Sequence, residues 1–305
     1  MTITLATRSS PLALWQARRA QELLTSAGAD EEIQLLEVQS SGDIDLSSQL
    51  ARFGKIGIFT AEVDQAVVEG RADVGVHSMK DLTTVLTDGM VLAGALARGP
   101  VEDALVSPSG KGLDRLPQGA RIATGSIRRA AMLLRVRPDL DIGPLRGNVA
   151  TRLSKLDAGE ADAIILARAG LERLGLGGRI TEILDTERFL PAVGQGIVGL
   201  TCRASDTDLR ETLATIADRQ AWISARAERT LLHDLQGGCS APIGGHAVHD
   251  GDTLILSAVV LSVDGREFME RSLRGPAAEP EVLGQALARE LLDRGAGRLV
   301  EAARS

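Results

Sequence analysis

Over roughly the first 200 residues, short apolar runs alternate with amphipathic stretches, and this alternation restricts the possible folds more than any other feature. Runs too short to be helices fall at 2–6, 33–39, 72–77, 90–96, 104–107, 121–124, 141–145, 161–166 and 197–202 and read as buried strands. Segments 11–27, 60–69, 126–137 and 148–158 carry apolar residues at helical spacing, and Gly28, Gly70, Pro138 and Gly159 stop them. Such a succession predicts an α/β fold with a mainly parallel sheet. The pattern starts afresh near residue 100, after Arg98-Gly99-Pro100. Two similar lobes with a cleft between them follow, with ligands expected outside the carboxyl ends of the strands.

The texture changes near Asp218. A helix over 219–235 runs into Gly237-Gly238, and hairpin signals follow at His249-Asp250-Gly251-Asp252 and Val263-Asp264-Gly265-Arg266. One or two helices between 279 and 303 complete a small α+β domain with a three-stranded antiparallel sheet. Residues 40–57 fit neither period: Ser40-Ser41-Gly42-Asp43 and Gly54-Lys55-Ile56-Gly57 bracket a polar loop, which reads either as a lid or as a surface loop.

Arginines recur where a strand hands over to a helix. Arg8 precedes Ser10-Pro11, an N-cap with proline at the first helical position. Arg128 and Arg129 sit in the first turn of a helix that Ser126 would cap, just after Thr124. Arg146 precedes the N-cap candidate Asn148, and Arg152 lies one turn further in. Helix N-termini carry partial positive charge, so cations there are unfavourable unless an anion joins them. With Arg173 the set exceeds what one small dicarboxylate needs, and neither phosphate-loop glycine motif occurs. A molecule carrying several carboxylates fits better. The bland alternative is a set of solvated surface arginines.

Composition excludes other classes. The net charge is −7, there is no tyrosine, and the other aromatics are two tryptophans and four phenylalanines, which argues against a nucleic-acid partner. No apolar run approaches the length of a membrane span, and the start lacks a secretory leader pattern, so a cytoplasmic protein is expected. Two cysteines and four histidines without ligand spacing predict no metal site. A monomer is the default, since no strong apolar surface stripe is evident.

Three patches can carry chemistry. Val76-His77-Ser78-Met79-Lys80-Asp81 follows a strand, and its carboxylate can stabilise a cationic intermediate or relay a proton to a leaving amine. The competing reading of Asp81 is a solvated loop residue. Gly237-Gly238-Cys239-Ser240-Ala241-Pro242 makes a loop that exposes a thiol, a nucleophile or attachment point, whereas Cys202 ends an apolar strand and reads as buried. No histidine pattern near Cys239 supports a cysteine hydrolase. Leu190-Pro191-Ala192-Val193-Gly194-Gln195-Gly196 reads as a hinge or as backbone brought close to a ligand.

In order along the chain, Ala6-Thr7-Arg8-Ser9-Ser10-Pro11-Leu12-Ala13, the His77–Asp81 segment, Gly125-Ser126-Ile127-Arg128-Arg129 and Leu145-Arg146-Gly147-Asn148-Val149 through Leu153 resemble the porphobilinogen deaminase (hydroxymethylbilane synthase) family. Leu190–Gly196 and Gly237-Gly238-Cys239 extend the resemblance over essentially the whole chain. It implies two lobes like those of periplasmic binding proteins, 1–98 with 197–216 and 99–196, and a cofactor-carrying domain over 217–305. It implies a transferase that condenses four porphobilinogens head to tail into a linear tetrapyrrole, releasing ammonia. A dipyrromethane cofactor would hang from Cys239 through a thioether, and Asp81 would be the catalytic aspartate. Arg8, Arg128, Arg129, Arg146, Arg152 and Arg173 would bind acetate and propionate groups, supported by Ser10, Ser78, Lys80, Thr124 and Ser126, with Lys55 and Phe59 in the lid. The chain departs from the family pattern at Lys55, at Thr83, where proline is common, and at Thr201, where an acidic residue is common. A rival reading keeps the same lobes as a non-catalytic binding protein for a polycarboxylate.

Overall fold

Residues 2–28, 32–38, 60–238 and 241–304 are described by a computed structural model, in which the alternation resolves into three sheets. The chain begins with β1 (Thr2–Arg8), α1 (Pro11–Ser26), β2 (Glu32–Val38), α2 (Ala61–Val68), β3 (Val74–Ser78) and β4 (Met90–Ala95). It continues through β5 (Asp103–Val106), β6 (Arg121–Thr124), α3 (Ile127–Val136), β7 (Asp141–Pro144), α4 (Val149–Asp157), β8 (Ala163–Ala167), α5 (Arg168–Arg173) and β9 (Glu182–Ile183). Next come β10 (Val198–Arg203), α6 (Thr207–Thr215) and α7 (Arg219–Asp234). The chain closes with β11 (Ile243–Asp250), β12 (Thr253–Leu261), β13 (Phe268–Pro276), α8 (Pro280–Asp293) and α9 (Ala296–Ala302). The loop over 40–57 with Lys55, together with Phe59 and Cys239, lies outside the described residues.

The first sheet has the order β2-β1-β3-β10-β4 and the second β7-β6-β8-β5-β9. These are the same arrangement built twice. Each has a parallel core, β2-β1-β3 or β7-β6-β8, flanked by a strand that runs the other way. The expectation of a mainly parallel sheet holds with one reversed strand in each sheet: β10 is antiparallel to β3 and β4, and β5 to β8 and β9. No helix precedes β5 or β10 to turn the chain round as a right-handed crossover does, so these strands enter from the opposite end.

Apolar periodicity places the cores. Leu5, Val74, Val76, Leu200 and Cys202 pack with Ala17, Ala20 and Leu24 of α1 on one face of the first sheet. Ala6, Val63, Ala66, Val67 and Met90 fill the other. In the second lobe Leu105, Ile122 and Ile165 pack with Met132 and Leu133 of α3, and Val259 and Leu261 of β12 join that cluster. The contacts divide the chain into two units, Met1–Gly99 with Gly196–Ala225, and Pro100–Gln195 with Arg226–Ser305. The third sheet, β11-β12-β13, is antiparallel throughout, with hairpins at the two predicted turns and α8 and α9 packed against it. No helix among the described residues is long and apolar enough to cross a membrane.

Candidate functional site

The predicted residues gather at strand ends. In the first lobe β1 and β3 are parallel neighbours, so Arg8 and Ser78 end adjacent strands at the same edge of the sheet. Ser10 caps α1, its Oγ accepting from the Ala13 N–H at 3.4 Å. The Ser78 hydroxyl accepts from Gln16 Nε2 at 2.8 Å, and Gln16 is a buried residue of α1. Lys80 and Asp81 follow in a single 3₁₀ turn, Met79–Asp81, in which Met79 is buried while Lys80 and Asp81 are half-exposed.

In the second lobe Thr124 ends β6, and its Oγ1 accepts from the Ser126 N–H at 3.2 Å. Ser126 caps α3 by accepting from the Arg129 N–H at 3.4 Å. The turn between them passes so close to the end of β7 that a Cβ at Gly125 would lie 2.6 Å from the Leu145 carbonyl oxygen. Arg146, exposed, follows the neighbouring parallel strand β7. Arg152, half-exposed on α4, donates from Nε to the Gly147 carbonyl at 2.7 Å. Arg173 closes α5, the helix after β8, and burial pulls its pKa below the ordinary value.

Arg128 and Arg129 are not solvated: 3% and 5% of their surface is exposed. Both bind Asp103, the first residue of β5, which is wholly buried. Arg128 Nη2 donates to Asp103 Oδ2 at 2.8 Å and Nη1 to the Leu190 carbonyl at 2.7 Å. Arg129 donates from Nη2 and Nε to Asp103 Oδ1, at 2.7 and 3.0 Å, and from Nη1 to the Ile165 carbonyl at 3.1 Å. Gln195 Nε2 completes the set, donating to Asp103 Oδ1 at 2.9 Å and to the Val101 carbonyl at 2.7 Å. Burial alone would raise the Asp103 pKa, but the two guanidiniums outweigh it and hold the carboxyl far below its usual range. Burial pulls the Arg128 pKa down, and Asp103 pulls it back up.

One carboxylate thus faces two guanidiniums, and a positive charge is left over in a dry setting. Arg128 Nε is buried with no hydrogen-bond partner among the described residues. An orphaned donor beside surplus charge fits one carboxylate of a ligand. Asp103 belongs to no segment singled out from the sequence, and Gln195, expected within a hinge or a backbone approach to a ligand, contributes its side chain instead. The available signal was an aspartate heading an otherwise apolar, fully buried strand, Asp103-Ala104-Leu105-Val106.

Twin α/β lobes of one strand order, one carrying buried guanidiniums at its strand ends and the other a carboxylate in the turn after a strand, define a two-lobed α/β protein. Residues 3–211 match the family model for porphobilinogen deaminase, dipyromethane cofactor binding domain, and residues 222–293 that for porphobilinogen deaminase, C-terminal domain. The chain belongs to the porphobilinogen deaminase family. Its activity is the stepwise condensation of four porphobilinogens into hydroxymethylbilane with release of ammonia, a transferase reaction of tetrapyrrole biosynthesis.

Similar solved structures include the VFT2 domain of Bordetella pertussis BvgS, 16% identical, with 70% of this chain and 86% of that one covered and a TM-score of 0.45. A nutrient binding protein from Burkholderia cenocepacia bound to methionine is 15% identical, with 77% and 96% covered and a TM-score of 0.44. A dipyrromethane bears acetate and propionate groups on both rings, and the uncompensated guanidinium charge suits such a group.

Proposed function

We infer that Cys239 carries the dipyrromethane through a thioether, that Asp81 is the catalytic carboxylate, and that the arginines hold pyrrole side chains. When bound, the dipyrromethane supplies the free pyrrole carbon on which the chain grows. Asp81 holds a negative charge where porphobilinogen becomes cationic on losing ammonia, and it takes part in proton transfer to the leaving amine. Arg128 and Arg129 together take one ligand carboxylate. Arg8, Arg146, Arg152 and Arg173 take others, with Ser10, Ser78, Lys80, Thr124 and Ser126 as hydrogen-bonding support. Lys55 and Phe59 are assigned to the lid.

The observation that carries this reading is the surplus charge at Arg128, whose Nε has no partner among the described residues. For the attachment point, the support is negative for the other thiol: Cys202 is fully buried in β10, and burial raises its pKa, which disfavours the thiolate that attachment needs. We read one domain per sheet, 1–98 with 197–216, 99–196 and 217–305, in a cytoplasmic monomer that binds no nucleic acid.

Intact-mass measurement tests the attachment. Wild type and Cys202→Ser carry the mass of one dipyrromethane, and Cys239→Ser does not. An adduct on the Cys202 peptide overturns the assignment.

A further inference from the structure

Beneath the end of β3 lies a buried polar set that the proposed chemistry does not use. His77 immediately precedes Ser78, and strand alternation sends its ring to the opposite face of the sheet. The ring is 4% exposed. Its Nε2 lies 3.1 Å from Thr201 Oγ1 on β10 and 3.3 Å from Asp64 Oδ1 on α2. Thr201 is wholly buried and Asp64 nearly so. Among the described residues Asp64 Oδ1 finds no hydrogen bond of good geometry, and the imidazole beside it offsets its burial. Apolar side chains of Ala6, Val63, Ala66, Val67 and Met90 pack in that layer. Packing is tight as well, since a Cβ at Gly75 would come 2.5 Å from Thr201 Oγ1 and 2.7 Å from His77 Nε2.

Such a set is costly to bury and contributes little to stability that an apolar residue could not match. What it does is fix geometry. The turn Met79–Asp81 is a single 3₁₀ turn, too short to hold a register of its own, so Asp81 inherits its place from the end of β3. That end is held along the backbone, where Met79 N–H donates to the Ile197 carbonyl at 3.0 Å. Gln16 holds it on one face through Ser78. On the other face it is held by His77 between Asp64 and Thr201.

We propose that His77 is a positioning residue for Asp81, locked beneath β3 by Thr201 and Asp64. The proposal rests on Asp81 being the reacting carboxylate. An apolar side chain at 77 leaves a buried carboxylate and hydroxyl facing hydrocarbon, and α2 or β3 must shift to relieve them. A displacement near 1 Å at a catalytic group costs on the order of a hundredfold in rate.

The test compares cofactor-loaded wild type with His77→Leu, His77→Gln, Asp64→Asn, Thr201→Val and Asp81→Asn, measuring kcat and KM for porphobilinogen and the intact mass. In His77→Leu kcat falls about tenfold or more while KM stays within about twofold and the cofactor mass is kept, because the ring is buried on the face away from Ser78. His77→Gln keeps an amide donor near Nε2 and restores kcat to within about threefold of wild type. Folded, loaded His77→Leu with wild-type kcat overturns the proposal, and so does a kcat loss that glutamine fails to rescue. If His77→Leu does not fold, Asp64→Asn and Thr201→Val decide: wild-type kcat in both overturns it, and lowered kcat at constant KM supports it. Normal turnover in Asp81→Asn instead sinks the reading of Asp81 itself, a different outcome from failure at His77.

Discussion

Strand for strand the two lobes correspond: β1 with β6, β2 with β7, β3 with β8, β10 with β5 and β4 with β9. The register carries the match to single residues. Val198 pairs with Ser78 at the end of β3, and Asp103 pairs with Ala167 at the end of β8. One scaffold position therefore holds a valine in the first lobe and a buried carboxylate in the second. The helices that follow β1 and β6 are both capped by a serine, at 3.4 Å in each case. Their first turns differ: Pro11-Leu12-Ala13 is neutral, whereas Ile127-Arg128-Arg129 puts two cations against the positive end of the helix. Asp103 is what makes that placement tolerable. In the first lobe the acidic group comes later, as Asp81 in the turn after β3. A shared backbone fixes which positions can meet a ligand, and a few side chains decide what charge stands there.

The largest way to break this contrast is to remove the second lobe's fork. Arg128→Leu leaves Asp103 with one guanidinium and is expected to block cofactor loading, with activity lost and no mass increment. Arg173→Leu should load normally and stall at an enzyme-bound intermediate. Mass ladders after brief exposure to porphobilinogen distinguish the two, and identical wild-type ladders would mean that neither guanidinium holds a ligand carboxylate. In the first lobe, Asp81→Asn should retain the cofactor and lose about a hundred- to a thousandfold in kcat. Near-normal turnover would mean another group does the work.

Asp103→Asn sharpens the contrast through stability, costing about 3 kcal/mol or more because two guanidiniums are left without a counter-ion. Val198→Ala, at the matching position, removes only apolar burial and should cost about 2 kcal/mol at most. Denaturant unfolding of the pair measures this, and equal losses would dissolve the distinction. The pH dependence has a definite sign. The folded-state pKa of Asp103 lies below its unfolded value, so its contribution is complete above the ordinary carboxylate range and is lost as pH falls towards the folded value. The stability gap between wild type and Asp103→Asn is then flat near neutrality and narrows below about pH 4. A gap that does not change in acid would contradict the depressed pKa. The smallest effects belong to the caps: Ser10→Ala and Ser126→Ala should each lower stability by about 1 kcal/mol, and by similar amounts. A several-fold larger loss at Ser126, seen in melting curves, would mean that its cap also holds the arginine pair.

Much of the fold was legible because its punctuation is local. Ser10-Pro11 and Gly28 bound a helix expected over 11–27 and found over Pro11–Ser26, and the two hairpin turns of the third sheet carry their own Asp-Gly signals. Strand direction was not legible, since an apolar tetrad such as Asp103–Val106 reads the same either way. The short elements α5, α6 and β9 went unnoticed for want of enough residues to show a period. At the site, arginines at helix starts announced themselves by breaking the dipole rule. Asp103, Gln195 and Gln16 did not, because their partners are distant in sequence and only the folded chain brings them together. His77 stands within the Val76–Asp81 segment, but its partners come from α2 and β10, which no local pattern shows.

Strand β10 sets the order in which the molecule can be completed. The slot between β3 and β4 stays open while the ribosome makes everything from Ala95 to Val198. Until β10 emerges, the nascent first lobe carries two unpaired strand edges, the kind that invite association with other chains. The second lobe draws all its strands from one continuous stretch, Asp103 to Ile183, and can close its sheet as soon as that stretch is free. Of the two five-stranded sheets, the one begun first is therefore completed second, and shelter during translation matters more for the amino-terminal lobe than for its twin.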